Sequence, residues 1–272
     1  MAYTDFVADC KNCFGLCCVA LPYAKSADFA FNKEGGVPCP NLDSEFRCKT
    51  HQNLREEGFH GCVSYECFGA GQKVSQITFN GKNWRDYPEF AEDMFDVFPI
   101  MQQLHEMLVY LQEAANREEA QILYKDLLSL RDKTEYLTTL SPKEIIELDV
   151  PRHRRIVNEL LMRTSELVRA KVKRNQQREK KIGKGFDLIG AKLKGTDLSG
   201  VNLRGARLIA ADLRKADMRY TDVIGADFRD ADIRGADFSG SIFLTQAQVN
   251  SAKGDVHTKL PSSLRIPGHW MP

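Results

Sequence analysis

Beyond Cys67 the chain has no cysteine; all eight of its cysteines lie between Cys10 and Cys67. Disulfide staples across the rest of the molecule are therefore excluded. Charge excess is also missing: 38 basic and 37 acidic residues leave a net charge of +1, so no overall field points to nucleic acid. No apolar run approaches the roughly 18 residues of a membrane span. The segment Met1–Asp9 lacks a basic stretch and an apolar stretch, so no signal peptide is expected. These absences together predict a soluble, cytoplasmic protein. In a reducing compartment, clustered cysteines point to metal rather than to disulfides.

What is abundant is repetition. Twelve five-residue units run from Phe186 to Phe243. Their apolar centres are Leu188, Leu193, Leu198, Leu203, Leu208, Leu213, Met218, Val223, Phe228, Ile233, Phe238 and Phe243. A small residue, such as Ala206, Ala211, Ala216 or Ala226, stands two positions before most centres. A period of five fits neither a helix nor a plain strand. One large and one small inward side chain per unit suit a short strand followed by a turn. Four sides would close a square coil of about twenty residues, and coils stack at roughly 4.8 Å. Glycines such as Gly190, Gly205 and Gly225 fall at the corners.

The triplets Ala211-Asp212-Leu213, Ala216-Asp217-Met218, Ala226-Asp227-Phe228 and Ala236-Asp237-Phe238 carry a close resemblance to the pentapeptide-repeat family, whose motif is A-(D/N)-L-x-x. That resemblance implies a right-handed quadrilateral β-helix, here of about three coils. Residues twenty apart then stack on one face. Lys194, Arg214 and Arg234 make a basic column; Asp197, Asp217 and Asp237 make an acidic one. Both read as a solvated face, with counter-charges or a ligand anion nearby to offset like-charge stacking. Ile189 and Ile209 make an apolar column expected to be covered by the helical segment or by a partner subunit. Thr245–Asp255 reads as a capping helix with Thr245 as N-cap and Gly254 as its stop. Pro261, Pro267 and Trp270 follow in an extended wrapping tail.

The cysteines are spaced Cys10-x2-Cys13-x3-Cys17-Cys18, then Cys39, Cys48, Cys62 and Cys67. Thiolates are soft donors, and a C-x2-C turn lets two sulfurs reach one ion. The surrounding sequence is rich in turn residues and poor in core, so it needs a staple. All eight are candidate metal ligands, enough for two four-sulfur sites. Adjacent Cys17 and Cys18 do not serve one ion in a relaxed geometry, which favours two sites or one bystander. His51 and His60 are read first as surface or supporting residues, with a ligand role, more for His51 than for His60, kept as the alternative. Zinc and an iron–sulfur cluster remain equal alternatives. The pattern resembles the zinc- or iron-chelating cysteine-cluster family. The run from Pro38-Cys39-Pro40 to Cys67-Phe68-Gly69-Ala70-Gly71-Gln72 resembles the N-terminal region of a bacterial pentapeptide-repeat subgroup that combines both modules.

Between these parts the pattern turns helical. Phe90, Met94, Phe98, Met101, Leu104, Leu108 and Leu111 share one face. A second helix is expected over Arg117–Thr139. Ser141-Pro142 reads as a helix start, and a further helix spans Pro151–Gln177 with Ile156, Leu160, Leu161, Leu167 and Val168 on its apolar face. These predict a small antiparallel bundle. Asp86–Asp149 holds fifteen acids and five bases, whereas Arg152–Lys184 holds twelve bases and three acids. The run Arg169, Lys171, Lys173, Arg174, Arg178, Lys180, Lys181 and Lys184 reads as a solvated helix end and linker.

The expected organisation is multidomain: residues 1–88 a Cys-rich metal-stabilised module, 89–181 a helical bundle with a basic end, 182–244 the repeat, and 245–272 a capping helix and tail. Nothing in the repeat looks catalytic. The primary expectation is a non-enzymatic scaffold for a protein partner, with a structural or sensory metal module; a homodimer is one option. Nucleic acid and membrane are not expected as partners. One alternative is an iron–sulfur enzyme or redox sensor, because a relative of the cysteine-cluster family methylates flagellin lysines. Another is a gyrase modulator that imitates duplex DNA, as some pentapeptide-repeat proteins do. With nine acids and nine bases, this repeat lacks the acidic excess that such imitation needs.

Overall fold

The computed structural model describes residues 6–172 and 187–271. The first repeat centre and its flanks fall mostly inside this range. Phe186 and the basic residues Lys173, Arg174, Arg178, Lys180, Lys181 and Lys184 lie outside the described residues. The described chain divides into two compact units. One comprises Met1–Ala115 and Leu123–Leu160, the other Asn116–Ile122 and Leu161–Pro272.

In the first unit the cysteine segment is held by short elements: α1 (Leu16–Val19), α2 (His60–Val63), α3 (Ala70–Gln72) and a π-helical stretch over Lys73–Thr78. Helix α4 (Ala91–Ala115) buries Met94, Phe98, Met101, Leu104, Leu108 and Leu111, the face expected from its periodicity. Leu16 and Val19 of α1, Ala70 of α3 and Val74 join Met94, Val97, Phe98 and Met101 in one core. The cysteine segment and α4 therefore share their interior. The expected second helix is split: Glu118–Leu123 is a 3-10 turn and α5 runs Tyr124–Leu137. Ile122, expected in the core, is 84% exposed. Ser141 opens α6 (Pro142–Ile146) through a capping box with Glu144. Helix α7 runs Val150–Arg169. Its buried seam passes through His153, Val157, Leu161, Thr164, Ser165 and Val168, and Ile156 faces solvent. The hidden polar members are partnered, as where Thr134 of α5 meets His153 Nε2 at 2.9 Å.

The second unit corrects the expected architecture. Among the described residues there is no β-strand and no sheet, so the quadrilateral β-helix built of strands does not form. The repeat is a stack of tight turns joined by isolated parallel bridges. Each bridge falls one residue before a centre and reaches twenty residues on, as in Asp187 with Arg207 and Asp212 with Asp232. The reason is the length of the unit. A corner with positive φ recurs every fifth residue, from Gly190 (63°) to Gly240 (72°). It leaves too little extended chain between corners for a continuous strand. Leu193 N donates to Asp212 O at 2.8 Å and Asp212 N to Ala191 O at 2.9 Å, so backbone groups are still satisfied from coil to coil.

The inward register is the expected one. Leu198, Leu203, Leu208, Leu213, Met218 and Val223 are fully buried, and Ala206, Ala211, Ala231 and Ala236 are buried beside them. Phe228 and Phe238 meet edge to face at 5.9 Å. The helical segment as cover for the predicted apolar column is a second correction: Ile189 is half exposed within the chain. The cap is a third. Helix α8 is shorter than expected, Gln246–Ser251, with Thr245 as N-cap in a capping box with Gln248. Gly254 does not end it; a Cβ there would sit 2.5 Å from the Trp270 ring. Trp270 is buried and donates its indole N–H to Ala252 O at 3.2 Å.

Phe228 fills the coil interior at 2% exposure. Phe228→Ala is expected to cost about 3–5 kcal/mol of stability, read as a lowered denaturant midpoint. An unchanged midpoint would refute the inward register.

Candidate functional site

The cysteine segment is assembled mainly by side chains gripping backbone. Gln72 accepts from Asp9 N at 3.1 Å and donates to Val7 O at 2.8 Å. Ser75, on the π-helical stretch, accepts from Phe14 N at 3.0 Å, and Gln76 donates to Asn12 O at 2.9 Å. Trp84 donates to Phe14 O at 2.8 Å. Arg47 donates to the carbonyls of Cys10, Lys11 (2.6 Å) and Cys13 (3.3 Å). The C-x2-C turn from Cys10 to Cys13 is thus clamped from both sides, with a guanidinium against it.

All eight thiols are free. Cys10 starts a 3-10 turn and is exposed; Cys13 is half-buried. Gly71 of α3 leaves room for Cys13: a Cβ there would lie 2.7 Å from its sulfur and 3.9 Å from that of Cys67. Cys13 and Cys67 thus flank the same bare backbone. Burial raises both thiols, Cys67 to about 11. Cys17 and Cys18 lie in α1 with their sulfurs 3.9 Å apart. The Cys18 thiol is pushed up, first by Cys17, with Cys48 as its other sulfur partner. Cys39 is buried; its N–H donates to Cys18 O at 2.9 Å, and its sulfur accepts from Tyr23 OH at 3.4 Å. The Tyr23 ring stacks on Phe29 at 4.3 Å, and Phe29 covers Gly61, which precedes Cys62 of α2. Desolvation lifts the Cys62 thiol to about 11, with Cys48 and then Cys39 adding to it. His51 is exposed and His60 half-buried.

The structure thus brings the thiols together in neighbouring groups, Cys13 with Cys67, and Cys17 and Cys18 with Cys48 and Cys39. Among the described residues, however, no three His, Cys, Asp or Glu side chains are grouped so as to hold a metal ion. The donor chemistry fits a thiophilic metal, and the bare backbone at Gly71 fits close sulfur approach. Closure of a four-sulfur shell is not part of this geometry. Sequence reasoning missed Tyr23, Lys33, Arg47 and Gly71. Only Gly71 had a signal, its place inside the motif from Cys67 to Gln72.

On the repeat, the charged columns resolve into pairs. Arg214 grips Asp212 two-pronged at 2.8 and 2.6 Å, and the same fork recurs for Arg219 with Asp217, Arg229 with Asp227 and Arg234 with Asp232. Arg214 also reaches Asp232 in the next coil at 3.7 Å. Asp237 of the acidic column pairs with Lys259 at 3.1 Å. Asp222 is fully buried and held by Arg204 at 2.8 Å. The D-x-R spacing was legible in the sequence but was read as separate columns. Within this unit Arg117 donates to Ser241 O at 2.7 Å, and Arg169 and Val172 lie against Gly200. Among the described residues no helix is long and apolar enough to cross a membrane.

Two outcomes are expected. Gly71→Ala displaces Cys13, so alkylation of Cys13 by iodoacetamide accelerates in peptide mass spectrometry; an unchanged rate would contradict the close approach. The second outcome concerns acid. The Arg214 fork lowers Asp212 from 3.8 to about 2, and Arg234 likewise lowers Asp232. A carboxylate whose pKa falls on folding stabilises the coil above its unfolded value and loses that contribution as pH falls. Melting temperature should therefore drop between pH about 4 and about 2, less steeply in Asp212→Asn.

Pentapeptide repeats match this chain in eight copies, over residues 185–219 and 206–243. The chain is 68% identical over 266 residues to the uncharacterized protein YybG of Bacillus subtilis (strain 168), covering 98% of this chain and 95% of that protein. No solved structure matches significantly. The chain is a pentapeptide-repeat protein and belongs to the same family as YybG.

Proposed function

We propose that this protein is a non-enzymatic cytoplasmic scaffold that binds a protein partner through its repeat, while its cysteine module holds zinc or an iron–sulfur cluster in a structural or sensory role. The observation that carries the scaffold reading is the filled interior of the coil, with Leu, Ala and Phe side chains packed throughout and the charged residues locked into Asp–Arg forks on its surface. Such a stack offers fixed side-chain rows around an interior that its described side chains fill. The balanced forks argue against imitation of duplex DNA, which needs an acidic rod. The metal reading rests on eight free thiols, six of them in two neighbouring groups, within a segment clamped by hydrogen bonds to its backbone. Its resemblance to the zinc- or iron-chelating cysteine-cluster family points the same way. Cys10, Cys13, Cys17, Cys18, Cys39, Cys48, Cys62 and Cys67 are the proposed ligands.

Elemental analysis and visible absorption of anaerobically purified full-length protein test this reading. About one or two equivalents of zinc without colour are expected for a structural module. Iron with sulfide and a brown colour would make the module a cluster site and favour sensing. Protein that takes up neither metal would defeat the metal half of the proposal. Partner capture that survives Arg219→Ala and Arg229→Ala together would defeat a partner site on the forked rows.

A further inference from the structure

One side of the repeat carries charge that its own forks do not use. On this side Lys192 bridges Asp212, Asp212 bridges Asp232 and Asp232 bridges Lys253, coil upon coil. With its corners the side holds six bases against three acids. Each acid has its own base: Arg214 forks Asp212, Arg234 forks Asp232, and Lys253 holds Asp230 at 3.2 Å. Lys192, Lys194 and Lys215 are left over. All three are exposed, and among the described residues no ion pair engages them. Lys194 adds only a distant attraction to Asp212, behind that of Arg214. The next side along the chain sets Asp197, Asp217 and Asp237 against Arg219 and Lys259, so the lysine excess is local.

Lys215 stands where a side chain is costly. It occupies a corner at φ 56°, whereas Gly195 and Gly235 hold the same corner in the coils on either side. A Cβ in that region is strained. Asp230 and Tyr220 share that strain but are used within the coil, Asp230 by Lys253 and the Tyr220 ring as cover for Gly240. Of Lys215 only the stem is used, with Cγ 3.4 Å from the Cβ position of Gly235. Cations in stacked rows also repel one another. A strained corner and three repelling cations without an internal partner point to an anion from outside. That anion must fit between fixed carboxylates. A continuous phosphate backbone laid across this side would run over Asp212 and Asp232, and residues 190–195, 210–215 and 230–235 hold no aromatic ring to stack a base. Separate carboxylates on a protein chain reach each lysine singly. Ile189, half exposed, stands one residue before the Gly190 corner, where among the described residues nothing lies within 4 Å of a Cβ position. We propose that the side bearing Lys192, Lys194 and Lys215 docks an acidic segment of a protein partner, with carboxylates on the three lysines and an apolar side chain against Ile189.

The inference rests on the scaffold reading above and names the surface and the chemistry of the partner. The probe is a fluorescein-labelled peptide of alternating glutamate and serine with a terminal leucine, and its anisotropy is followed against the full chain at low ionic strength. Lys192→Gln, Lys194→Gln and Lys215→Gln together are expected to weaken binding at least about 10-fold. The same loss of charge at exposed Lys125, Lys133 and Lys143 is expected to leave it unchanged. Equal binding by the two triple variants, or none by the wild type, overturns the inference. So does a labelled DNA duplex that binds more tightly than the peptide and is lost with the same three lysines, since this side would then be a nucleic-acid surface. Lys215→Gly relieves the corner, so it should raise the melting temperature while weakening the peptide. A lower melting temperature would make Lys215 a structural corner and remove it from the docking surface. Partner capture separates this inference from the reading it rests on. Capture kept by the lysine variant but lost in Arg219→Ala with Arg229→Ala overturns this inference alone. Capture kept by both variants overturns the scaffold reading with it.

Discussion

Every fifth residue of the repeat turns through the left-handed region, and the rest of the second unit depends on that corner. Glycine accepts it freely, but Ala210, Lys215, Tyr220 and Asp230 adopt it too, at φ of 55–57°. A side chain there costs about 1–2 kcal/mol, so the surrounding structure must impose the turn. It does so through backbone bonds at the corner itself. Ala210 N donates to Arg229 O at 2.9 Å and Lys215 N to Arg234 O at 3.0 Å. The corner fixes the spacing of the inward side chains, and that spacing keeps one large and one small residue facing the axis in each unit. Asp–Arg forks brace the two residues on either side of each centre, just before the corner, with the Asp carboxylate also accepting the Arg backbone N–H, as in Asp217 with Arg219 at 3.1 Å.

A stack held by coil-to-coil bonds has an exposed ladder where it ends. The chain closes it with segments of different kinds. The tail continues the ladder itself, with Asp232 bridging Lys253 and Asp237 bridging Lys259. The register slips from twenty residues to twenty-one and then twenty-two, because α8 intervenes. Where the tail does not reach, the side chain of Gln248 substitutes for backbone, donating to Val223 O at 2.9 Å and Ala226 O at 2.8 Å. The same residue completes the capping box at Thr245, so one glutamine starts the helix and seals the coil. Thr258 repeats the device, donating to Ile233 O at 3.1 Å.

The repeat register and the α4 face were legible because each rests on a period. Twelve consecutive five-residue units cannot place Leu208 or Phe228 anywhere but inside, and threes and fours leave Met94 and Met101 no other face. The strands were misread because the large and small inward pair suggested a short strand on each side and the family resemblance named the same architecture, whereas five residues per corner leave room only for single bridges. On α7 the eye followed Ile156 and Leu160, yet the seam runs through His153, Thr164 and Ser165. Polar residues carry no periodic signal until their partners are known, and Thr134 supplies one for His153 only after the chain has folded. Gly254 was read as a helix stop because glycine does that often; its actual use is to admit the Trp270 ring, sixteen residues away.

The cysteine module shows the same limit in another form. Spacing identified every sulfur but not which would be neighbours, since Cys13 and Cys67, more than fifty residues apart, flank the bare backbone of Gly71. Nor does spacing reveal the cations. Arg47 and Lys33 are ordinary basic residues in the sequence; one lies against the Cys10–Cys13 turn and the other between the α1 and Cys39 segments. Both bind carbonyl oxygens, not carboxylates. In a segment with little apolar core, that is a consistent arrangement. The backbone is pinned by hydrogen bonds, two of the pins being the cations Arg47 and Lys33, and the sulfurs are displayed by the pinned backbone. The cations therefore belong to the logic of the module as much as the cysteines do.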